Sequence, residues 1–311
     1  MKVVSYQRVV PEQNSSYEKN AILTNFVQGV QKQGDNGVAY NGYDLQDCDV
    51  AIIQGWQHQR GKGGAHLQLR QKVIDTQIAK NRFVITADSN LFLYANRANT
   101  PYHYLRYSIN GVFPNVGNYC DDKPDPKRWK QISAHTGIKL QDYQKKGRNI
   151  VLCLQRNGGW SMGTYDIQDW VIDTVRKIRK YSDRPIIVRP HPGDKKAVRY
   201  LSHRYNRIKN LPNVKLSDFG RPLEADLHKA WAVVNHNSSS IVGPIIQGYH
   251  AFITDPNKSQ CAEVSNDHFK NIETPNEFNR EQWLERISMF HWNFVELQNG
   301  SCWAHMRDYC K

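Results

Sequence analysis

Short apolar runs alternate with amphipathic helical segments along almost the whole chain, and this alternation limits the fold more than any other feature. The runs at residues 49–54 and 82–87 have the length of buried strands, and the segment 65–80 between them carries apolar residues at helical spacing. A strand, a helix and a second strand in this order form a parallel βαβ unit. The pattern therefore predicts an α/β protein with mainly parallel sheets.

The alternation occurs in two series, which a polar stretch at residues 120–147 separates. The second series has strands predicted at 149–154, 185–189, 214–216, 231–235 and 249–254, and a long terminal helix predicted at 280–297. We expect two Rossmann-like domains that face a central cleft, because open α/β sheets bind ligands at their carboxyl edges. The predicted domains are residues 1–145 and residues 146–311, the second of which ends in a closing C-terminal helix.

The composition indicates a cytoplasmic protein. With 311 residues, 39% of them apolar, the chain can fill the cores of two domains. The six cysteines show neither a CxxC pair nor histidines at metal-ligand spacing, so neither a zinc site nor a disulfide framework is indicated. We find no signal peptide and no apolar stretch near the ~20 residues of a membrane span. Association with a membrane surface and the oligomeric state stay open.

The formal net charge of +13 favours an anionic partner. Residues 176–209 contain twelve lysines and arginines against two aspartates. Within this stretch Lys196, Arg199, His203 and Arg207 recur at helical spacing. Two interpretations stay open: a basic face that contacts phosphates of a substrate or of DNA, and a solvated helix face with no further role.

The segment VRPHPGD at residues 188–194 follows an apolar strand, where open α/β sheets place their ligands. The guanidinium of Arg189 offers a planar fork of donors to a phosphate, and His191 adds a hydrogen bond or a proton. The two prolines of this segment make the turn stiff. The alternative is a rigid turn with an exposed imidazole.

The strand predicted at 231–235 runs into small polar residues where a helix starts. The polar residues are Asn237, Ser238, Ser239 and Ser240. Unpaired backbone N–H groups, the helix dipole and the serine hydroxyls favour an anion at such a position. Simple N-capping is the alternative, and it accounts for one serine of the three.

Together, the His-Pro turn and the Asn-x-Ser-Ser helix start resemble the paired motifs of GT-B glycosyltransferases, in particular bacterial sialyltransferases and capsule-type Kdo transferases. This resemblance implies a nucleotide-sugar donor, UDP- or CMP-linked, whose phosphate contacts His191, Ser238 and Ser239. Neither a metal nor another cofactor is implied. The chain departs from the pattern in having Gly243 and Pro244 where an acidic residue often holds the ribose, which leaves Glu263 as the candidate for that contact.

Glycine-containing loops follow the strands predicted at 49–54 and 149–154. The first-half loop lacks the Walker A spacing, so it is no ATP-binding loop of that kind. Its basic residues are candidates for acceptor or DNA contact: His58, Arg60 and Lys62. In the second half, Gly158 and Gly159 are candidates for close approach to the donor phosphate. In both loops the glycines also fit tight turning alone.

Asp88 follows the strand predicted at 82–87 and is the candidate catalytic base, since an inverting transferase must remove the proton of the acceptor hydroxyl. An N-cap role for Asp88 is the alternative. The layout of residues 43–93 resembles the acceptor half of the DNA β-glucosyltransferases of T-even phages. That resemblance places the proposed base of the family at Asp88.

The sequence therefore predicts a metal-independent, inverting GT-B glycosyltransferase in which His191 and Asp88 are the catalytic residues. The first choice of acceptor is hydroxymethylpyrimidine in duplex phage DNA, because it fits both the net charge and the phage-like layout. A transferase that builds capsule or lipopolysaccharide is the alternative, and a non-catalytic nucleic-acid-binding protein is the second alternative.

Overall fold

The computed structural model describes residues 1–10, 17–56, 63–92, 103–202 and 207–311. These residues form two compact units. Unit 1 comprises Met1–Ile138 together with Leu284–Lys311, and unit 2 comprises Lys139–Trp283. Each unit contains its own sheet and its own buried apolar cluster.

The described part of the chain contains eleven strands. They are β1 (Lys2–Tyr6), β2 (Asn36–Tyr40), β3 (Val50–Gln54), β4 (Phe83–Asp88), β5 (Leu105–Ile109), β6 (Asn149–Cys153), β7 (Ile186–Arg189), β8 (Val214–Leu216), β9 (Ala230–Asn235), β10 (His250–Ile253) and β11 (His291–Trp292). The helices of the same residues are α1 (Tyr17–Lys32), α2 (Ala65–Ala79), α3 (Pro126–Thr136), α4 (Ile167–Ile178), α5 (Ala197–Ser202), α6 (Leu223–Leu227), α7 (Val242–Ile246), α8 (Arg280–Ser288), α9 (Phe294–Asn299) and α10 (Ser301–Met306).

The sheet of unit 1 has the strand order β11-β5-β4-β3-β1-β2. Strands β1 to β4 pair in parallel, whereas β5 and β11 are antiparallel to their neighbours. The central strand β3 is buried at four of its five residues, Val50 to Ile53. Its unbroken apolar run reflects a strand that is covered on both faces, as parallel strands usually are.

The sheet of unit 2 is wholly parallel, with the order β10-β9-β6-β7-β8. The chain enters at the central strand β6, adds β7 and β8 on one side, and then returns to add β9 and β10 on the other. Amphipathic α4 contributes Trp170, Val171, Val175 and Ile178 to the core of this unit. The predicted α/β class with two Rossmann-like domains is confirmed.

The C-terminal segment belongs to unit 1, so its predicted place in a domain of residues 146–311 is corrected, and the first division falls after Ile138 rather than after residue 145. Helices α9 and α10 pack on α1, where Leu297, Trp303 and Phe26 share one buried cluster. The contact is close because Gly29 has no side chain: a Cβ atom there would lie 2.0 Å from the Leu297 carbonyl oxygen. Helical periodicity shows an apolar face but not which core receives it.

The single helix predicted at 280–297 is also corrected, because α8 ends at Ser288 and α9 begins at Phe294. Between them His291 and Trp292 pair with β5 as an edge strand. Asn293 then caps α9, because its side chain accepts the Glu296 N–H while the Glu296 carboxylate accepts the Asn293 N–H.

No helix within the described ranges is long and apolar enough to span a membrane. The six cysteines are buried free thiols. Across the same ranges, no cluster of three or more histidine, cysteine or acidic side chains could hold a metal ion.

Candidate functional site

The carboxyl edge of the unit 2 sheet has a topological switch point between β6 and β9, where the strand order reverses. Open α/β sheets bind ligands in the crevice that such a reversal opens. The loops after β6, β7 and β9 all lie at this edge, because the three strands are parallel neighbours. They carry the residues that the sequence singled out for the donor.

Two buried amide side chains join the walls of the switch point. Gln155 Nε2 donates to Asn237 Oδ1 at 2.8 Å, and the Asn237 backbone N–H donates to Gln155 Oε1 at 2.9 Å. Asn237 Nδ2 also donates to Asp255 Oδ2 at 2.9 Å. Asn237, which the sequence predicted to contact the nucleotide sugar, thus lies at the crevice, but its side chain is used to hold the loops together. Gln155 was not predicted, although its position after the first strand of the series was a usable signal.

The serines after β9 form a 3₁₀ turn, Ser239–Ile241, that leads into the short α7, rather than one continuous helix. Ser238 is the N-cap, and its Oγ accepts the Ser240 N–H at 3.2 Å. The capping alternative therefore accounts for Ser238. Ser240 Oγ is buried without a hydrogen-bond partner in the described part of the chain. Its hydroxyl and that of half-buried Ser239 are the ones left for a ligand.

Arg189, at the end of β7, is anchored by a buried carboxylate. Arg189 Nη1 lies 2.6 Å from Asp226 Oδ2, and Asp226 is only 3% exposed. The same carboxylate accepts the Ser217 hydroxyl at 2.6 Å and pairs with Arg221 Nε at 3.1 Å. The predicted phosphate fork is therefore held in place by Asp226 of α6, and no sequence pattern predicts this pairing.

His191 is held in a neutral form with a defined tautomer. Its Nδ1 accepts the Gly193 backbone N–H at 2.9 Å, so the ring proton lies on Nε2. Burial lowers the pKa of His191 below its ordinary value, the charge of Arg156 lowers it further, and Asp194 opposes both. The arrangement leaves Nε2–H as a donor to an anion.

Asp194 connects the loops after β6 and β7. Its Oδ2 accepts the Asn157 N–H at 3.0 Å and the Tyr200 hydroxyl at 2.6 Å, and its Oδ1 accepts the Lys196 N–H at 3.0 Å. Burial alone would raise the pKa of Asp194, but these hydrogen bonds outweigh it and the pKa is lowered. Asp194 is therefore an ionised brace for the His191 turn.

Arg156, in the loop after β6, was missed by sequence reasoning. It is exposed, and its guanidinium has no hydrogen bond or ion pair with any described residue. A Cβ atom on Gly193 would lie 2.5 Å from Arg156 Nη2, so the absence of that side chain gives the guanidinium its place beside the His191 turn. Gly158, with φ +67°, makes the left-handed turn that follows Arg156. A cation directly after the first strand of a Rossmann series was the available signal.

A pocket of about 430 Å³ opens between the loops after β7 and β8. Its walls include Arg189, His191, Lys195, Asp218, Phe219 and Arg221. Phe219 is 40% exposed and offers a ring face, while Asp218 offers an exposed carboxylate. Cationic, aromatic and acidic groups thus line one cavity, of a size that suits a small organic ligand.

The residues of the predicted basic face lie in different surroundings. Lys196 and Arg199 are exposed beside and within α5, whereas Arg207 forms an ion pair with Asp169 of α4. Arg207 also lines a separate, open groove on unit 2 with Tyr165. His203 lies outside the described residues. Of the three described residues, Arg207 is thus engaged with α4, whereas Lys196 and Arg199 are exposed.

In unit 1, Asp88 ends β4 and its carboxylate is engaged. Asp88 Oδ2 lies 2.5 Å from Arg106 Nη2, and Oδ1 accepts the Ser89 N–H at 2.7 Å. Asn90 rather than Asp88 accepts a backbone N–H two residues on, that of Phe92. The described residues 89–92 begin no helix, so they show no N-cap role for Asp88. His58, Arg60 and Lys62 lie outside the described residues.

The chain matches no protein-family model and no curated protein sequence. Solved structures do resemble it. The KpsC β-Kdo 2,4 transferase of Thermosulfurimonas dismutans is 11% identical with a TM-score of 0.53, over 94% of this chain and 92% of that one. The KpsC β-Kdo 2,7 transferase of the same organism is 10% identical with a TM-score of 0.54, over 100% of both chains. At this identity the similarity establishes the fold, which is the GT-B fold that the motifs implied.

Proposed function

We propose that the chain is a glycosyltransferase that moves a sugar from a nucleotide-linked donor to a hydroxyl of a bacterial surface polysaccharide. The observation that carries the proposal is the carboxyl edge of the unit 2 sheet. There the neutral His191, with its Nε2–H, lines a pocket that contains a carboxylate and a ring face, and Arg156, a cation with no partner among the described residues, lies beside the His191 turn. This is the chemistry that a nucleotide phosphate, its ribose and its base require.

The choice of acceptor differs from the first choice made on the sequence. The two similar solved structures bear the names of Kdo transferases, and this favours the surface-polysaccharide alternative. Neither those structures nor the site supports a DNA acceptor, whose sequence support came from net charge and the layout of residues 43–93. Arg207, one of the residues assigned to DNA, is paired with Asp169.

The donor phosphate is the leaving group, and its developing charge needs stabilisation as the sugar departs. Arg156 supplies a full positive charge, and His191 donates a hydrogen bond from Nε2 to a phosphate oxygen. The hydroxyls of Ser239 and Ser240 supply further donors. Positive charge and oriented donors provide this without a divalent cation, so we propose a metal-independent reaction.

The nucleoside occupies the pocket beside the His191 turn. Asp194 and Asp218 both line this pocket. Asp194 is engaged by Asn157, Tyr200 and Lys196, whereas the exposed Asp218 carboxylate accepts hydrogen bonds from the ribose hydroxyls. The earlier candidate, Glu263, lies exposed in a 3₁₀ turn after β10 and does not line the pocket. Phe219 offers its ring face for stacking on the base.

Asp88 in unit 1 remains the proposed base for an inverting transfer. Arg106 fixes one carboxylate oxygen and the Ser89 N–H the other, which orients the group. A free lone pair on either oxygen is what an acceptor hydroxyl would approach.

The test supplies CMP- and UDP-linked sugars, with a CMP-linked acidic sugar first, together with bacterial capsule fragments, hydroxymethyl-containing DNA or plain DNA. We expect transfer to the glycan. Transfer to DNA alone would refute the proposed acceptor. If the protein bound no nucleotide and transferred sugar to no acceptor, the proposed function itself would be refuted. His191→Ala and Asp88→Asn should each lower turnover by about 100-fold. His228→Ala, which removes an exposed histidine of unit 2, is the control for His191→Ala and should leave turnover unchanged.

A further inference from the structure

A second pocket, of about 260 Å³, lies at the carboxyl edge of the unit 1 sheet where β3 and β4 end. Its walls include Val10, Gln54, Arg70, Asp88, Ser89 and Leu105. The volume is below the usual range of pockets for drug-sized ligands, so it suits a single sugar unit rather than a nucleotide or an oligosaccharide.

Arg70 brings a buried cation to this pocket. It lies on α2 and is only 8% exposed. Its Nη1 donates to the Trp56 carbonyl at 3.0 Å and its Nη2 to the Val9 carbonyl at 2.9 Å, while Nε is buried without a partner among the described residues. None of these contacts brings a negative charge.

Burying a guanidinium without a directly bound countercharge costs free energy. Burial lowers the pKa of Arg70 to about 10, and the nearby Asp88 charge opposes this shift. Gly55, with φ +71°, lies against the guanidinium, and a Cβ atom there would make a tight contact of 3.0 Å with Arg70 Nη1. An anion in the adjoining pocket would offset part of the cost.

Asp88 does not provide that countercharge by direct contact, because its carboxylate pairs with Arg106. The pair presents a nearly neutral wall with oxygen acceptors. Gln54 adds an amide whose Oε1 is buried without a partner among the described residues. The pocket therefore combines a guanidinium that no described carboxylate contacts directly with acceptors for hydroxyl groups. A dianion such as phosphate fits this site less well than a carboxylate, because a single guanidinium balances only one of its two negative charges.

We propose that this pocket binds an acidic monosaccharide, with its carboxylate towards Arg70 and its hydroxyls towards Asp88 and Gln54. If the chain is the transferase proposed above, this sugar is the terminal unit of an anionic glycan acceptor. Only its identity as acceptor rests on the proposed function, since binding of the free sugar requires no donor.

The test titrates the full chain with glucuronate and, as a matched neutral probe, with glucose, and follows binding by saturation-transfer NMR. Glucuronate should bind about tenfold more tightly than glucose, because Arg70 acts on its carboxylate alone. Equal binding of the two sugars, or binding of neither, overturns the proposal.

Exposed Ser89, at the rim of the pocket, provides a matched pair of variants. Ser89→Asp should weaken glucuronate binding about tenfold by charge repulsion. Ser89→Asn introduces a side chain of the same shape as aspartate but without the charge, and it should change binding less than about twofold. Equal losses in both variants would indicate a steric effect and overturn the role of charge. Arg70→Lys should also weaken glucuronate binding. Its NMR spectrum and thermal midpoint show whether the variant still folds without the two guanidinium hydrogen bonds to the carbonyls of Val9 and Trp56.

Binding of UDP-glucose and of a CMP-linked sugar is measured on the same samples. Nucleotide binding without glucuronate binding overturns the pocket proposal and leaves the proposed function standing. Glucuronate binding without nucleotide binding or transfer supports the pocket and overturns the proposed function.

Discussion

The two sheets reverse their strand order in the same way but fill the resulting crevices differently. In unit 2 the walls of the crevice are joined by the neutral amides of Gln155 and Asn237, and the nearest cation, Arg156, has no partner among the described residues. In unit 1 the corresponding gap between β1 and β3 is crossed by Arg70, which bonds to the carbonyls of Val9 and Trp56. Topology thus predicts where a site lies, while the bonding of its polar groups determines what it can bind.

The carboxylates at the two sheet edges also differ in burial and in the number of their partners. Asp226 of unit 2 is buried and is shared by Arg189, Arg221 and Ser217, whereas the Asp88 side chain of unit 1 is 25% exposed and pairs with Arg106. Removing one partner of a buried ion pair is costly because the other charge remains buried. The cost falls when water reaches the charge that is left.

Asp226→Asn should therefore lower the free energy of unfolding of unit 2 by about 3 kcal/mol, and Asp88→Asn should lower that of unit 1 by about 1 kcal/mol. Hydrogen exchange read separately on the strands of each unit measures both, since two units need not unfold together. Equal losses would show that burial does not distinguish the two carboxylates.

The alternation of strands and helices did not predict β2, nor β5 and β11, which are antiparallel to their neighbours. It was enough to predict the five strands of unit 2 and the parallel strands β3 and β4 of unit 1, because buried parallel strands leave apolar runs in the sequence. It also placed Arg189, His191, Asn237 and the serines at one edge, since the residues that follow parallel strands lie at the same end of a sheet. The pairing of Arg189 with Asp226 could not be predicted, because it depends on how α6 packs. The assignment of residues 284–311 to unit 1 could not be predicted either. It depends on close packing of this segment against α1 at Gly29, where no side chain is present.

Arg156→Gln should weaken binding of a nucleotide sugar about 30-fold, because it removes the cation that we propose for the donor phosphate. Lys180→Gln makes the same charge change at an exposed position just beyond the C-terminal end of α4 and should have little effect. Gly193→Ala should reproduce part of the loss, since its Cβ atom displaces the guanidinium. Calorimetry measures all three, and unchanged affinity in Arg156→Gln would remove this residue from the donor site.

His191 provides a pH test of the unit 2 edge. Because its pKa is lowered, the free protein carries a neutral imidazole at pH 7. A bound phosphate favours the protonated ring, in which Nδ1 carries a proton and no longer accepts the Gly193 N–H. Binding therefore takes up a proton, and affinity should rise as the pH falls from 7.5 to 6, by about threefold. The rise ends once the pH is below the lowered pKa of free His191, where the ring is already charged.

This dependence is measured with a nucleotide sugar, whose phosphate diester keeps its charge over that range, in two buffers of different ionisation enthalpy. His191→Gln should abolish both the proton uptake and the slope. A slope that persists in this variant would assign the proton to another group.

The smallest effects are expected at Lys196 and Arg199, the exposed remainder of the predicted basic face. Neither side chain has a hydrogen bond or ion pair with a described residue, and neither lines the pocket beside His191. Exposed charges of this kind contribute little to stability. Lys196→Gln and Arg199→Gln should each change the free energy of unfolding by less than about 0.5 kcal/mol and donor affinity by less than about twofold. A tenfold loss of donor affinity in either would extend the phosphate site onto α5, whereas unchanged affinity favours the solvated helix face over the phosphate-binding one.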